Sequence, residues 1–253
     1  MENTAFVVKN RHLIEYIGNN EYIEIPEAVT VIDDFAFEGN KKIKSVIIPN
    51  TVLAIGRATF GKCENLRCVI LPDSLAEIES LMFIGCKRLE SVTLPKELKI
   101  IRRMAFYQCA ALVNIDFPEN LSVIGANAFE GCRSLIKVKL PSTLKRLGDR
   151  AFGYCTALRN ISWLSESMEI GCEVLGAASQ SIRVIYAGAS ADFINMITSE
   201  ERKTRPWESI GNVVLHTPAS RSENQFIYDI KNAFKIEVFC KKDEVCLIFQ
   251  NNA

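Results

Sequence analysis

The sequence predicts an α/β repeat fold: a right-handed solenoid of short parallel strands, joined by short helical or irregular turns and capped at both ends. Prolines, phenylalanines and cysteines each recur every 23 residues, at Pro26, Pro49, Pro72, Pro95, Pro118 and Pro141; at Phe37, Phe60, Phe83, Phe106, Phe129 and Phe152; and at Cys63, Cys86, Cys109, Cys132 and Cys155. Because three residue types agree on one period, we interpret the chain as a stack of similar units.

Each unit follows the pattern P-x-x-L-x-x-I-x-x-x-A-F-x-x-C-x-x-L-x-x-V-x-L. Six units, 26–48 through 141–163, fit this pattern well. A seventh unit, 164–186, is degenerate, with Leu175 in the phenylalanine position and Ala178 in the cysteine position. Terminal units of a stack are expected to drift, since they contact a cap instead of another repeat.

The end of each unit predicts a short strand with one apolar side. In the second unit Leu66, Val69 and Leu71 alternate with Cys68 and Ile70, as side chains do on the two sides of a strand. A single unit cannot bury its apolar side, but parallel stacking on a neighbour about 4.8 Å away makes one continuous core. The proline that follows ends the strand because it has no N–H to donate.

The repeat resembles the BspA-like class of leucine-rich repeat. The segment from Ile124-Gly125 to Pro141 carries I-G-x-x-A-F-x-x-C-x-x-L-x-x-V-x-L-P, and the resemblance extends over roughly residues 5–217. The chain departs from the pattern locally, at Thr59 and Met82 in place of Ala and at Asp33, Glu79 and Arg102 in place of Gly. The resemblance implies a partner-binding solenoid with adhesion or host-interaction roles, since BspA-like proteins are often found on bacterial and protist surfaces.

Four segments are expected along the chain. Residues 1–25 form an N-terminal cap, with a strand pair over 5–17 and an early strand at 22–25, and residues 26–186 form the leucine-rich-repeat solenoid. A C-terminal cap over 187–217 contains a helix from Ser190 to Pro206 and a closing strand at 213–215. The tail over 218–253 is a polar linker and a β-hairpin, either a further cap or an appended element.

Composition argues against two classes of partner. The 30 basic and 30 acidic side chains cancel and are interspersed, so we expect neither nucleic-acid binding nor attraction to anionic membranes. The sequence has no stretch of about 20 apolar residues and no signal peptide at its start. As given the chain is expected to be cytoplasmic; if a leader was removed, it is a surface or secreted protein.

The cysteines and histidines do not form a recognisable reactive site. The repeat cysteines are isolated by 22 intervening residues, unlike the close pairs of structural zinc sites, and are expected to be reduced, buried thiols. Cys240 and Cys246 flank the turn of the predicted hairpin, either reduced or joined by a disulfide. Nothing places His12 or His216 beside a nucleophile, and no catalytic motif is present. We therefore predict no enzyme activity, no metal site and no cofactor.

The outward side chains of the strands are the predicted binding site for a protein or peptide. They form two ladders whose residues vary from unit to unit, which suits recognition, although they could equally serve solubility alone. The first ladder is Ser45, Cys68, Ser91, Asn114, Lys137 and Asn160; the second is Ile47, Ile70, Thr93, Asp116, Lys139 and Ser162. Apolar residues stand toward the N-terminal half and charges toward the middle, which predicts a partner with an apolar anchor and polar contacts.

These observations favour a non-enzymatic protein-binding module, with adhesion or host interaction implied by the resemblance. An intracellular scaffold for protein interactions is the first alternative, and it suits the free cysteines and the missing signal. A glycan-binding protein is the second alternative. It would need exposed aromatics or paired carboxylates, whereas the ladders contain no aromatic residue and Asp116 as their only carboxylate.

Overall fold

Each 23-residue unit forms one turn of a solenoid, here called a rung, in a computed structural model of the chain. The structure describes residues 5–163 and 168–178, and the backbone of 181–186, 212–218, 236–241 and 244–249. The rungs build three walls: a strand wall, a short-strand wall and a turn wall around the repeat phenylalanines.

The strand wall and the short-strand wall contain all the strands of the described residues. The strand wall contains β3 (Tyr22–Glu24), β5 (Ser45–Ile47), β7 (Cys68–Ile70), β9 (Ser91–Thr93), β12 (Lys137–Leu140), β14 (Asn160–Trp163), β16 (Ser181–Tyr186), β17 (Asn212–Pro218), β18 (Ile236–Lys241) and β19 (Glu244–Phe249). The short-strand wall contains β1 (Phe6–Lys9), β2 (His12–Tyr16), β4 (Val31–Ile32), β6 (Ala54–Ile55), β8 (Glu77–Ile78), β10 (Ile100–Ile101), β11 (Val123–Ile124), β13 (Arg146–Leu147) and β15 (Glu169–Ile170).

The strands of neighbouring rungs pair in parallel and in register. Val46 pairs with Val69 in one part of the strand wall, and Val138 pairs with Ile161 in another, each 23 residues along. This register places each inward side chain on the equivalent side chain of the next rung, so the predicted stacking of the units is confirmed.

The strand wall is interrupted at the fourth rung, residues 95–117. Residues 114–116 form no strand, so the wall divides into a four-stranded sheet β3-β5-β7-β9 and a six-stranded sheet that begins at β12. The predicted strand at this rung is therefore wrong. In this rung the Phe117 ring packs edge-on against Phe129 with centroids 5.6 Å apart.

The turn wall is built from irregular turns. Residues 5–163 and 168–178 contain no helix, so the irregular alternative replaces the helical one. Two positions in each rung have positive φ: the first is Phe35, Ala58, Leu81, Met104, Asn127, Arg150 and Glu173, and the second is Gly39, Lys62, Gly85, Gln108, Gly131, Tyr154 and Ala177. Between these two positions the positive φ values point backbone N–H groups toward the next rung. Phe60 N, for example, donates to Met82 O at 2.9 Å. A backbone N–H that donates to the next rung cannot also donate to the carbonyl four residues earlier, as it would in an α-helix.

The phenylalanines form a column through the interior. The six rings are at most 2 % exposed, and those of neighbouring rungs stack with centroids 5.0–5.5 Å apart. Tyr16 continues the column at its N-terminal end, with its ring centroid 5.4 Å from that of Phe37. Burying these rings supplies a large part of the apolar free energy that holds the rungs together.

Strand pairs stand at both ends. At the N-terminus β1 and β2 pair antiparallel as predicted, and β2 then pairs in parallel with β4. At the C-terminus β17 pairs in parallel with β16, and the predicted hairpin β18–β19 joins β17 through antiparallel pairing of β19. Cys240 is the register partner of Val245, and Cys246 that of Phe239. The helix predicted from Ser190 to Pro206, residues 219–224 of the linker and the thiol state of Cys240 and Cys246 lie outside the described residues.

Candidate binding face

The outward slots of the strand wall are open to solvent, as the alternation of side chains predicts. Val46 and Val69 are buried, whereas their neighbours Ile47 and Ile70 are 41 % and 46 % exposed. Other apolar side chains, such as Leu53 and Ile136, are at least as exposed, so what distinguishes Ile47 and Ile70 is that they lie side by side in the register of β5 and β7.

Half of the predicted site residues line one open cavity. Asn114, Asp116, Lys137, Lys139, Asn160 and Ser162 surround a depression of about 610 Å³ whose floor is Ile115 and Val138. The depression lies at the interrupted fourth rung and the two rungs that follow. We call these six residues the polar site.

The other six predicted residues lie on the four-stranded part of the strand wall. Ser45, Ile47, Cys68, Ile70, Ser91 and Thr93 belong to β5, β7 and β9, on the N-terminal side of the polar site. Within this group the Cys68 thiol donates to Ser45 Oγ at 3.1 Å. The ladders therefore divide into an apolar part at Ile47 and Ile70 and the polar site.

The charges of the polar site form no ion pair among the residues that the structure describes. Asp116, Lys137 and Lys139 are exposed, and among the described residues none of the three takes part in an ion pair. Asp116 and Lys139 occupy the same slot of adjacent rungs, where an ion pair would be easy to form.

Elsewhere on the solenoid, charges at the same spacing do pair. Lys87 Nζ lies 2.7 Å from Glu64, and Lys96 Nζ lies 2.6 Å from Asp73, in each case one rung away. In both pairs the ammonium group and the carboxylate satisfy each other. The unpaired groups of the polar site remain available to a partner.

A second cavity, on the short-strand wall, was not predicted from the sequence. It has a volume of about 640 Å³, and its lining includes Arg102, Arg146 and Glu169. Arg102 pairs with Glu77 at 2.6 Å, and Arg146 lies 3.8 Å from Glu169. These three charges of the lining are therefore already partnered within the chain.

The repeat cysteines are free, buried thiols, as predicted, and they are also hydrogen-bond donors. Cys109 Sγ donates to the carbonyl oxygen of Phe83 in the preceding rung at 3.1 Å, and the other four make the equivalent bond. Burial raises the pKa of Cys63 and of Cys155 to about 12. In the first rung Asn40 takes the same slot and makes a different bond, accepting from the backbone N of Lys42 at 2.8 Å.

The described residues offer no site for a metal ion. His12 Nδ1 lies 3.0 Å from Asp33 Oδ1 on an exposed surface, and no group of three metal-ligating side chains occurs in the described part of the chain. His216 lies in β17, for which only the backbone is described. Within the same part of the chain, no helix has the length and apolar character that crossing a membrane requires.

The repeat pattern matches a known family. The profile described as "BspA type Leucine rich repeat region" matches in six copies over residues 11–109 and 77–197, which together are more than half of the chain. The chain belongs to the BspA-type leucine-rich repeat family. Repeats of this family generally act as non-enzymatic binding scaffolds.

Solved structures of other leucine-rich repeat proteins share the fold of this BspA-type chain. A leucine-rich repeat protein of T. pallidum is 28 % identical and has a TM-score of 0.66, over 70 % of this chain and 88 % of its own. A leucine-rich repeat protein of Bacteroides ovatus is 25 % identical with a TM-score of 0.56, over 83 % of this chain and 67 % of its own. A comparison with curated proteins finds no significant match.

Proposed function

We propose that this BspA-type repeat is a non-enzymatic protein-binding module that holds its partner on the outward face of the strand wall. The observation that carries the proposal is the polar site: six predicted residues line one cavity, and its three charges lack partners within the described chain. A charge without an internal partner is free to make a charge-assisted bond to another molecule. The family adds support, since its repeats generally bind proteins.

Adhesion or host interaction and intracellular scaffolding are two settings for this same activity. Both would use the strand face, and they differ in where the partner is found. Glycan binding is less well supported, because the described lining of the polar site contains no aromatic ring on which a sugar would stack and only one carboxylate, that of Asp116.

The test is quantitative affinity capture with a matched charge control. Asp116→Lys with Lys139→Glu reverses the charges at two positions of the polar site. Glu64→Lys with Lys87→Glu makes the same exchange in an ion pair away from that site. Proteins captured by the wild type should be lost with the first variant and retained with the second, and free wild-type protein should compete for them. Equal capture by all three proteins would contradict the proposal.

A further inference from the structure

We infer that the partner presents an extended segment in which an apolar side chain and a carboxylate stand about four to six residues apart. This inference rests on the proposed function and names the chemistry that the strand face would recognise. The apolar side chain would lie over Ile47 and Ile70, and the carboxylate would lie between Lys137 and Lys139.

The apolar end is defined by two isoleucines on adjacent rungs. Ile47 and Ile70 are register partners and are both exposed on the same ladder. The next residue of that ladder is Thr93, so the apolar surface ends there. Two side chains stacked in this way form a patch of the size that one leucine, isoleucine or phenylalanine covers, and covering it removes apolar area from water.

The charged end favours an anion. Lys137 and Lys139 project from the same side of β12, and both are exposed. Two ammonium groups and the single carboxylate of Asp116 leave the site with a net positive charge, since none of the three is paired within the described chain. A carboxylate placed between the lysines accepts hydrogen bonds from both, and such charge-assisted bonds are stronger than neutral ones.

The distance between the two ends sets the spacing in the partner. Three rung steps separate Ile70 from Lys139, which is about 14 Å at about 4.8 Å per step. From Ile47 the separation is four steps, about 19 Å by the same spacing. An extended chain advances about 3.3 Å per residue, so these distances correspond to about four to six residues.

Polar groups fill the space between the ends. Ser91, Thr93 and Asn114 lie between the isoleucines and the lysines, with hydroxyl and amide groups that can both donate and accept. An extended segment crossing the strands has unpaired backbone N–H and C=O groups, which need such partners. The face therefore satisfies an extended main chain better than a helix, whose backbone groups are already bonded.

The test is selection from a library of random linear peptides of about 12 residues, long enough to span both ends, on the 253-residue chain. We expect the selected peptides to share an apolar residue and an Asp or Glu at the stated spacing. Replacing that acid by its amide should weaken binding by at least about tenfold, because its hydrogen bonds to the two lysines are no longer charge-assisted on both sides.

Variants of the chain test which residues recognise the acidic and the apolar side chain of the peptide. Lys137→Glu with Lys139→Glu should shift the selection toward Lys and Arg at the acidic position, and Ile70→Ser should remove the apolar preference alone. The Glu64 and Lys87 exchange serves as the matched control and should change neither. Each variant is first checked by chemical denaturation, so that loss of binding is not loss of fold.

Two results would overturn the inference in different ways. Peptides that depend on Ile70 or Asn114 but bind equally well as acid or amide would refute the spaced acidic motif and leave the proposed function standing. A selection in which no peptide responds to any strand-face variant would refute the inference and count against the strand face as the binding surface.

Discussion

The turn wall and the strand wall of this solenoid use the same 23-residue period for different purposes. On the turn wall the inter-rung hydrogen bonds run from Phe37 to Val174, and the phenylalanines stack beneath them. The strand wall is interrupted at residues 114–116, and a cavity with unpaired charges lies there. The difference teaches that the turn wall maintains the stack, which leaves the strand wall free to vary and to bind.

The largest expected effect is a loss of stability at alkaline pH, caused by ionisation of the buried thiols in the unfolded chain. Burial raises the pKa of Cys63 and Cys155 from an ordinary 9.0 to about 12, and that of Cys86, Cys109 and Cys132 well above 9.0. Above pH 9 the unfolded chain releases protons that the folded chain retains. The free energy of unfolding should therefore fall between pH 9 and 12, by up to about 1.4 kcal/mol per pH unit for each thiol.

Urea denaturation at pH 8, 9 and 10 measures this slope. Cys109→Ala should make it shallower, whereas Cys172→Ser, at an exposed cysteine, should leave it unchanged. A stability that does not vary over this range would show that the thiols are not buried in the solenoid.

Removing one ring of the phenylalanine column should have the next largest effect on stability. Phe106 is fully buried between Phe83 and Phe129, so Phe106→Ala should lower the free energy of unfolding by about 3–5 kcal/mol. The matched change on the strand wall, Ile70→Thr, should cost about 0.5 kcal/mol or less. If urea denaturation showed equal losses of unfolding free energy for the two variants, the turn wall would not be the wall that maintains the stack.

A methyl group at the contact between two rungs should have an intermediate effect. A Cβ on Gly148 would lie 2.4 Å from the backbone N of Ala126, too close without a shift of one rung. We expect Gly148→Ala to lower the free energy of unfolding by about 1–3 kcal/mol. Ser142→Ala, at an exposed position in the same rung, is the control, and thermal unfolding measures both.

Neutralising the polar site should have the smallest effect on stability. Asp116→Asn with Lys139→Gln removes charges that make no described ion pair, so the free energy of unfolding should change by about 0.5 kcal/mol or less. The same double variant should lose the partner in affinity capture. A large loss of stability would mean that the strand face is structural, contrary to the division between the walls.

Some features of the fold could be predicted from the sequence and others could not. The buried column at Phe60, Phe83 and Phe106 was predictable because each position must satisfy the same packing in every rung. The interruption at 114–116 was not, because Asn114, Ile115 and Asp116 keep the polar-apolar alternation of a strand although no strand forms there. The hydrogen bond from Cys109 to Phe83 was missed as well, since a pattern of residue types does not show which way a thiol points.

The sequence by itself determined the period, the inward residues and the two ladders of the strand face. A 23-residue repeat with one apolar side per strand can bury that side only by stacking. The tertiary structure alone decided which outward residues meet in one cavity and which charges remain unpaired. Those outcomes depend on contacts between rungs: Lys87 reaches Glu64 across one step, whereas Lys139 forms no ion pair with Asp116 across an equal step.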